Sequence, residues 1–116
     1  MTDPLVALRD ALRAFAAERD WDQFHSPRNL AAALAAEAAE LLEPFQWLTD
    51  EQSRELSAEA RAAVEQEMAD VLLYLVRLAD KLGVDLEQVA RAKIELNAEK
   101  YPIERARGSS RKYDEL

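Results

Sequence analysis

The longest helical pattern in the sequence sets the terms for the rest of the chain. From about Ser57 to Leu82, Val64, Glu67, Val71, Tyr74 and Leu78 recur at helical spacing and draw one stripe, with an acid at its centre. At ~1.5 Å per residue this helix approaches ~40 Å, the longest element the chain can make. Its apolar surface exceeds what one small bundle readily covers. Gly83 supplies a left-handed C-cap. With only two glycines and four prolines in 116 residues, and with alanine, leucine and glutamate dominant, the composition favours helix over turn-rich sheet.

Three more helical segments fit around this one. The first runs from about Pro4 to Glu18, with Leu5, Leu8, Leu12 and Phe15 on one face. "RDWDQFHSPRN" breaks that pattern, and Ser26 followed by Pro27 opens a second helix. It is expected to reach Trp47 or Leu48, with Pro44 imposing a kink or an early stop. "TDEQSRE" reads as a loop. Asp85 with Gln88 resembles a capping box for a fourth helix, which ends at about Tyr101 because Pro102 follows. The expected fold is all-α, a four-helix bundle. Residues 1–101 form a single domain and 102–116 a polar tail, mobile or reaching a neighbouring subunit.

Charge and composition remove several functions. A formal net charge of −8 opposes a surface for nucleic acid polymers, although bridging metal ions still admit a phosphate ligand. The absence of cysteine removes disulfides, zinc-thiolate sites and cysteine nucleophiles. "MTDPLVALRD" lacks the features of a secretory signal, and no apolar run reaches membrane-spanning length, so no membrane partner and a cytoplasmic location are expected.

The apolar stripes carry a conflict. On the second helix Leu30, Leu34, Glu37, Leu41 and Leu48 align, Glu37 lies in their middle, and Glu40 follows three residues on. On the third, Glu67 is central and Asp70 follows at the same interval. Burying one unpartnered carboxylate costs several kcal/mol, and like charges raise one another's pKa. A single such pair would read as a solvated face. Two pairs on two apolar stripes call for a counter-ion, and few basic residues lie on these stripes. A hard divalent cation such as Mg²⁺ suits carboxylate oxygens, whereas one histidine and no cysteine leave softer metals little to hold. A di-iron carboxylate bundle needs Glu-x-x-His from two helices, and His25 is the only histidine.

Hard cations held by carboxylates most often serve phosphate chemistry. Lys93, Asn97 and Lys100 share one helical face that suits phosphate contacts, and equally a solvated surface. Trp47, two turns after Glu40 on a continuous helix, should lie on the same side, beyond the metal end. Trp21, Phe24 and His25 cluster ahead of the second helix, and Tyr74 follows Asp70 by one turn. Together they offer faces for a nucleobase; singly, each is better explained by core packing.

"AEAAELLEPFQW", "EMADVLLYLVRLADKLGVDL" and "KIELNAEKYP" resemble the all-α MazG-like nucleoside triphosphate pyrophosphohydrolases, with their Glu-x-x-Glu, spacer, Glu-x-x-Asp signature. "FAAERDWDQFHSPRNL" and "SSRKYDEL" are similar to the dCTP pyrophosphatase branch, and the resemblance covers about Leu8 to Leu116. It implies hydrolysis of a deoxynucleoside triphosphate, dCTP first, to the monophosphate and diphosphate. It further implies that Glu37, Glu40, Glu67 and Asp70 bind Mg²⁺, which holds the triphosphate. Trp21, Asp22, Gln23, Phe24, His25, Trp47 and Tyr74 would line the nucleoside pocket, with an aromatic ring against the sugar disfavouring a 2′-hydroxyl. Lys93, Asn97, Lys100 and Tyr101 would lie near the phosphates. The family's assembly implies a homotetramer, a dimer of dimers with sites between subunits.

The chain departs from the family pattern at two positions. Ala36 replaces a glutamate that many members carry, so no role passes to it, and Leu12 stands where dCTP-specific relatives can carry a histidine. Pro44 has no functional account. The expected mechanism is attack of a metal-activated water on phosphorus, with Glu40 combining metal and base roles and no covalent intermediate. Two other readings are a pyrophosphohydrolase for dUTP or a modified nucleotide, and a non-catalytic helical interaction module.

Overall fold

Side chains that satisfy the first free backbone N–H groups fix where each long helix starts. In the computed structural model, which describes residues 3–116, Asp3 accepts a hydrogen bond from the Leu5 N–H (2.8 Å) and Pro4 occupies the first turn of α1 (Pro4–Glu18). The Ser26 hydroxyl accepts from the Asn29 N–H (3.1 Å) and opens α2 (Pro27–Leu42). Thr49 and Gln52 cap α3 (Asp50–Ser53) reciprocally, with the Gln52 amide oxygen accepting from the Thr49 N–H. Ser57 caps α4 (Ala58–Leu82), which Gly83 ends at φ 66°, a conformation that costs glycine nothing. Asp85 caps α5 (Leu86–Lys100) through the Gln88 N–H, and α6 (Ile103–Ala106) follows Pro102.

Three boundaries differ from the sequence expectation. The second helix stops at Leu42 and does not reach Trp47. Pro44 has no N–H to donate to the Glu40 carbonyl, and the chain instead turns through Phe45 N–H to Leu42 O and Leu48 N–H to Phe45 O, each 2.9 Å. The stretch read as a loop contains α3, because Thr49 provides a complete capping box. The polar tail contains α6 and a 3₁₀ turn at Tyr113–Glu115. The described residues thus hold six α-helices and no strand, four of them long as expected.

The described chain forms two compact units, one ending at Val84 and the other Asp85–Leu116. In the first unit α1 and α2 both pack on α4. Ala16 of α1, Leu30 of α2, and Val64, Val76 and Ala79 of α4 are its buried apolar residues, and Leu30 is the largest side chain fully enclosed. Met68, Leu72, Leu75 and Leu82 recur along α4 at helical spacing and stay exposed within the chain. The second unit consists of α5, α6 and the terminal 3₁₀ turn, and α5 buries none of its residues. Among the described residues no helix is long and apolar enough to cross a membrane.

This core makes a stability contrast measurable by urea unfolding followed by circular dichroism. Leu30→Ala should lower the unfolding free energy by about 3 kcal/mol, through lost burial and a residual cavity. Trp47→Ala, at a ring 87% exposed, should change it by no more than about 0.5 kcal/mol.

Candidate metal centre and adjoining cavity

Glu67 and Asp70 lie one helical turn apart on α4, and packing of α2 on α4 brings Glu37 to them. One carboxylate oxygen from each lies within 4.8 Å of the others. All three residues are half-buried. Oε2 of Glu37 and Oε2 of Glu67 are occluded from solvent and have no hydrogen-bond partner among the described residues. No ion pair among the described residues reaches them; the pairs that form engage Asp10, Glu18, Asp22, Glu65, Asp80 and Glu87 instead.

An occluded carboxylate oxygen without donor or cation is unfavourable, and here two stand together. The Glu67 carboxylate beside it, and then loss of hydration, push the Glu37 carboxyl above its ordinary pKa. The donor set is hard oxygen alone, and it fits a hard divalent cation. Glu40 departs from the expectation of four converging acids. It is exposed and outside the three-oxygen cluster, because an i,i+3 step on α2 turns it about 60° away from Glu37. The neighbouring Glu37 nonetheless raises the Glu40 carboxyl too.

Asp70 also lines a cavity of about 410 Å³ within the first unit. Leu8, Leu12 and Phe15 of α1 form an apolar wall, while Trp21 and His25 enter from the connection to α2. Tyr74 and Arg77 complete the α4 side. The Trp21 ring meets Phe15 edge-on, with centroids 5.7 Å apart, so one face of the connection is fixed by aromatic packing. Four of the sequence-expected residues, Asp70, Trp21, His25 and Tyr74, are therefore brought together.

The other expected residues lie elsewhere. Asp22 and Gln23 turn away from this cavity. Asp22 pairs with Arg77 and Lys81, and the Gln23 amide donates to the Asp20 carbonyl (3.0 Å), bracing the connection. Phe24 is exposed, and its carbonyl accepts from the Asn29 amide (3.0 Å). Trp47 does not share a helix face with Glu40, since α2 ends five residues before it. Lys93, Asn97 and Lys100 are exposed on one face of α5 in the second unit. Tyr101 there meets Tyr113 edge-on at 6.2 Å, and the Lys100 ammonium lies 5.0 Å from the Tyr113 ring centroid.

Sequence reasoning missed Arg77. It is the one buried charged residue in the described chain, 6% exposed, and it donates to His25 Nδ1 (3.1 Å), Asp80 Oδ2 (3.1 Å) and Asp22 Oδ1 (2.6 Å). Its signal was present as a lone arginine in "VLLYLVRLAD", three residues before an aspartate. Arg13 donates to Asp80 (2.8 Å) and holds that carboxyl below its ordinary pKa; Lys81 does the same for Asp22. Burial, with the Arg77 charge adding to it, lowers the pKa of His25. A second, polar cavity of about 350 Å³ opens beside this knot, lined by Arg13, Asp22, Asp80 and Lys81.

The chain is 52% identical over 104 residues to dCTP pyrophosphatase 1 of Homo sapiens and 49% identical over the same length to dCTP pyrophosphatase 1 of Bos taurus. Each match takes in 88% of this chain but only 61% and 62% of those relatives, so the chain spans about three-fifths of their length. The crystal structure of a pyrophosphatase from Archaeoglobus fulgidus is similar at TM-score 0.82 and 38% identity, over 88% of this chain and 95% of that one. Residues 32–116, which contain all four acids, match the family model described as MazG-like. With a helical frame that brings Glu37 of α2 to Glu67 and Asp70 of α4 and a sequence match across most of its length, the chain belongs to the MazG-like family.

Proposed function

We propose that this chain is a nucleoside triphosphate pyrophosphohydrolase that prefers dCTP and converts it with one water to dCMP and diphosphate. One observation carries the reading: Asp70 belongs at once to the unpaired acid cluster and to the wall of the aromatic-lined cavity. A charge centre suited to phosphate therefore adjoins a chamber suited to a base. Relatives named dCTP pyrophosphatase 1 at about half identity support this substrate. The Archaeoglobus relative named a pyrophosphatase supports the bond that is cleaved.

Glu37, Glu67 and Asp70 would hold a divalent cation, which we take to be Mg²⁺. When bound, such a cation neutralises phosphate charge and acidifies a nearby water. Glu40 stands beside this cluster, exposed and with raised proton affinity, and accepts the proton of the attacking water. Trp21 and Tyr74 offer ring faces to the base, and Leu8, Leu12 and Phe15 exclude water around it. Lys93, Asn97, Lys100 and Tyr101 keep the phosphate-contact role implied by the family resemblance. Asp22, Gln23, Phe24 and Trp47, which lie outside this cavity in the single chain, keep only the nucleoside-pocket role implied by the family resemblance, in an enzyme assembled as a homotetramer. Support for assembly comes from Met68, Leu72, Leu75 and Leu82, which leave an apolar stripe of α4 uncovered in the single chain. On this reading the enzyme works in the cytoplasm, on the deoxynucleotide pool. The presence of Leu12 in the cavity wall favours a second reading, relaxed choice of base that admits dUTP or a modified pyrimidine nucleotide.

Incubation with a nucleotide panel should yield diphosphate and monophosphate in one step, fastest from dCTP. Stepwise release of single phosphates contradicts the scheme. Glu37→Gln and Glu67→Gln should each abolish turnover and the Mg²⁺-dependent rise in Tm. Because the Glu37 carboxyl is raised in the fold, its ionisation opposes folding. Metal-free stability from this group is present below the ordinary carboxylate pKa and falls as pH rises through the raised one, so Glu37→Gln leaves the metal-free Tm at neutral pH unchanged or higher. Sedimentation equilibrium should give a mass near four chains of 13.1 kDa, and Met68→Glu with Leu72→Glu should reduce it. A wild-type mass of one chain removes the tetramer from the reading.

A further inference from the structure

The buried Arg77 sits outside the acid cluster and touches none of the phosphate-handling groups, yet it donates three side-chain hydrogen bonds. A guanidinium has five N–H donors, no acceptor, and does not lose its charge in proteins. Any nitrogen it bonds must therefore present a lone pair. Arg77 Nε–H points at His25 Nδ1 at 3.1 Å. Nδ1 therefore carries no proton, and a neutral imidazole in this position has its proton on Nε2.

The guanidinium cannot rotate away from this task. Nη1 is bound to Asp80 Oδ2 at 3.1 Å and Nη2 to Asp22 Oδ1 at 2.6 Å, so its three nitrogens serve three separate acceptors. Both carboxylates are themselves held, Asp80 by Arg13 and Asp22 by Lys81. Arg77 is buried, so solvent does not compete for its donors. His25 lines the 410 Å³ cavity, and its Nε2 has no hydrogen-bond partner among the described residues. We propose that Arg77 is a positioning residue which fixes His25 in the neutral Nε2–H tautomer, so that the cavity offers a hydrogen-bond donor and selects a nucleobase edge carrying an acceptor. A carbonyl oxygen or unprotonated ring nitrogen of a pyrimidine meets that requirement; an N–H edge does not.

Burial and the two nearby cations act in the same sense. Arg77 and Lys81 oppose a second proton on His25, Asp22 favours one, and burial weighs with the two cations. Asp70 and Tyr74 share the cavity. The ring is consequently a donor that stays neutral where an exposed histidine would begin to charge. The use of that donor on a base rests on the proposed function; the tautomer does not.

His25 is the only histidine, so protein labelled with ¹⁵N-histidine gives one pair of ring nitrogens, readable by long-range ¹H–¹⁵N correlation across pH. The wild type should show the Nε2–H pattern at neutral pH, with a titration midpoint below the ordinary ~6.5. Arg77→Met should mix the tautomers and move the midpoint up, whereas Arg77→Lys, whose ammonium also only donates, should retain the Nε2–H form. Addition of dCMP, which carries the base without the triphosphate, should shift Nε2 and leave Nδ1 nearly in place. In turnover assays Arg77→Met should raise KM several-fold with a smaller effect on kcat, and Arg77→Lys should recover part of the loss. A wild-type ring protonated on Nδ1, or charged at neutral pH, overturns the tautomer assignment without any variant having to fold. An Nε2 signal indifferent to dCMP, in protein that hydrolyses dCTP, overturns the donor role. Protein that shows the expected tautomer but cleaves no nucleotide overturns the proposed function instead, and with it the assignment of the donor to a base.

Discussion

The fold turns on the packing of α2 against α4, because that contact places carboxylates where the chain itself provides nothing to oppose them. Leu30 and Val64 make the contact apolar, and Glu37, Glu67 and Asp70 are carried into it by the same helical period. Two oxygens are left occluded and unpaired, while basic side chains a few residues away are spent on other acids. Such a frame keeps a local electrostatic cost that a retained proton or an added cation relieves.

The charged knot at Arg77 solves the opposite problem. There a buried cation is matched by Asp22 and Asp80, and those acids by Lys81 and Arg13, so every group has a partner. The C-terminal part of α4 is thus electrostatically closed and its middle electrostatically open. The cavity lies between them, bounded by Asp70 on one side and by Arg77 and His25 on the other. One helix carries both arrangements because its successive turns point in different directions.

Helix starts were legible in the sequence, since Ser26, Ser57 and Asp85 each cap by a local hydrogen bond that needs no tertiary partner. Gly83 was legible for the same reason. The acids of the cluster could be read because an acid centred in an apolar stripe conflicts with burial wherever the helix packs. What failed depended on geometry beyond the repeat. Pro44 allowed either a kink or a stop, and the stop moved Trp47 off the Glu40 face. Glu40 follows Glu37 at the right interval, yet the small rotation between them decides which oxygen is enclosed. Arg77 was invisible as a site because its partners Asp22 and His25 come from more than fifty residues upstream.

The central claim is that the convergence of Glu37, Glu67 and Asp70 exists to hold a divalent ion. Calorimetric titration of nucleotide-free protein with Mg²⁺ addresses it most directly, comparing the wild type with Glu67→Gln. The account expects saturable binding to the wild type that the substitution abolishes while the helical circular dichroism spectrum is retained. Equal Mg²⁺ binding by both proteins, or none by the wild type, would contradict it.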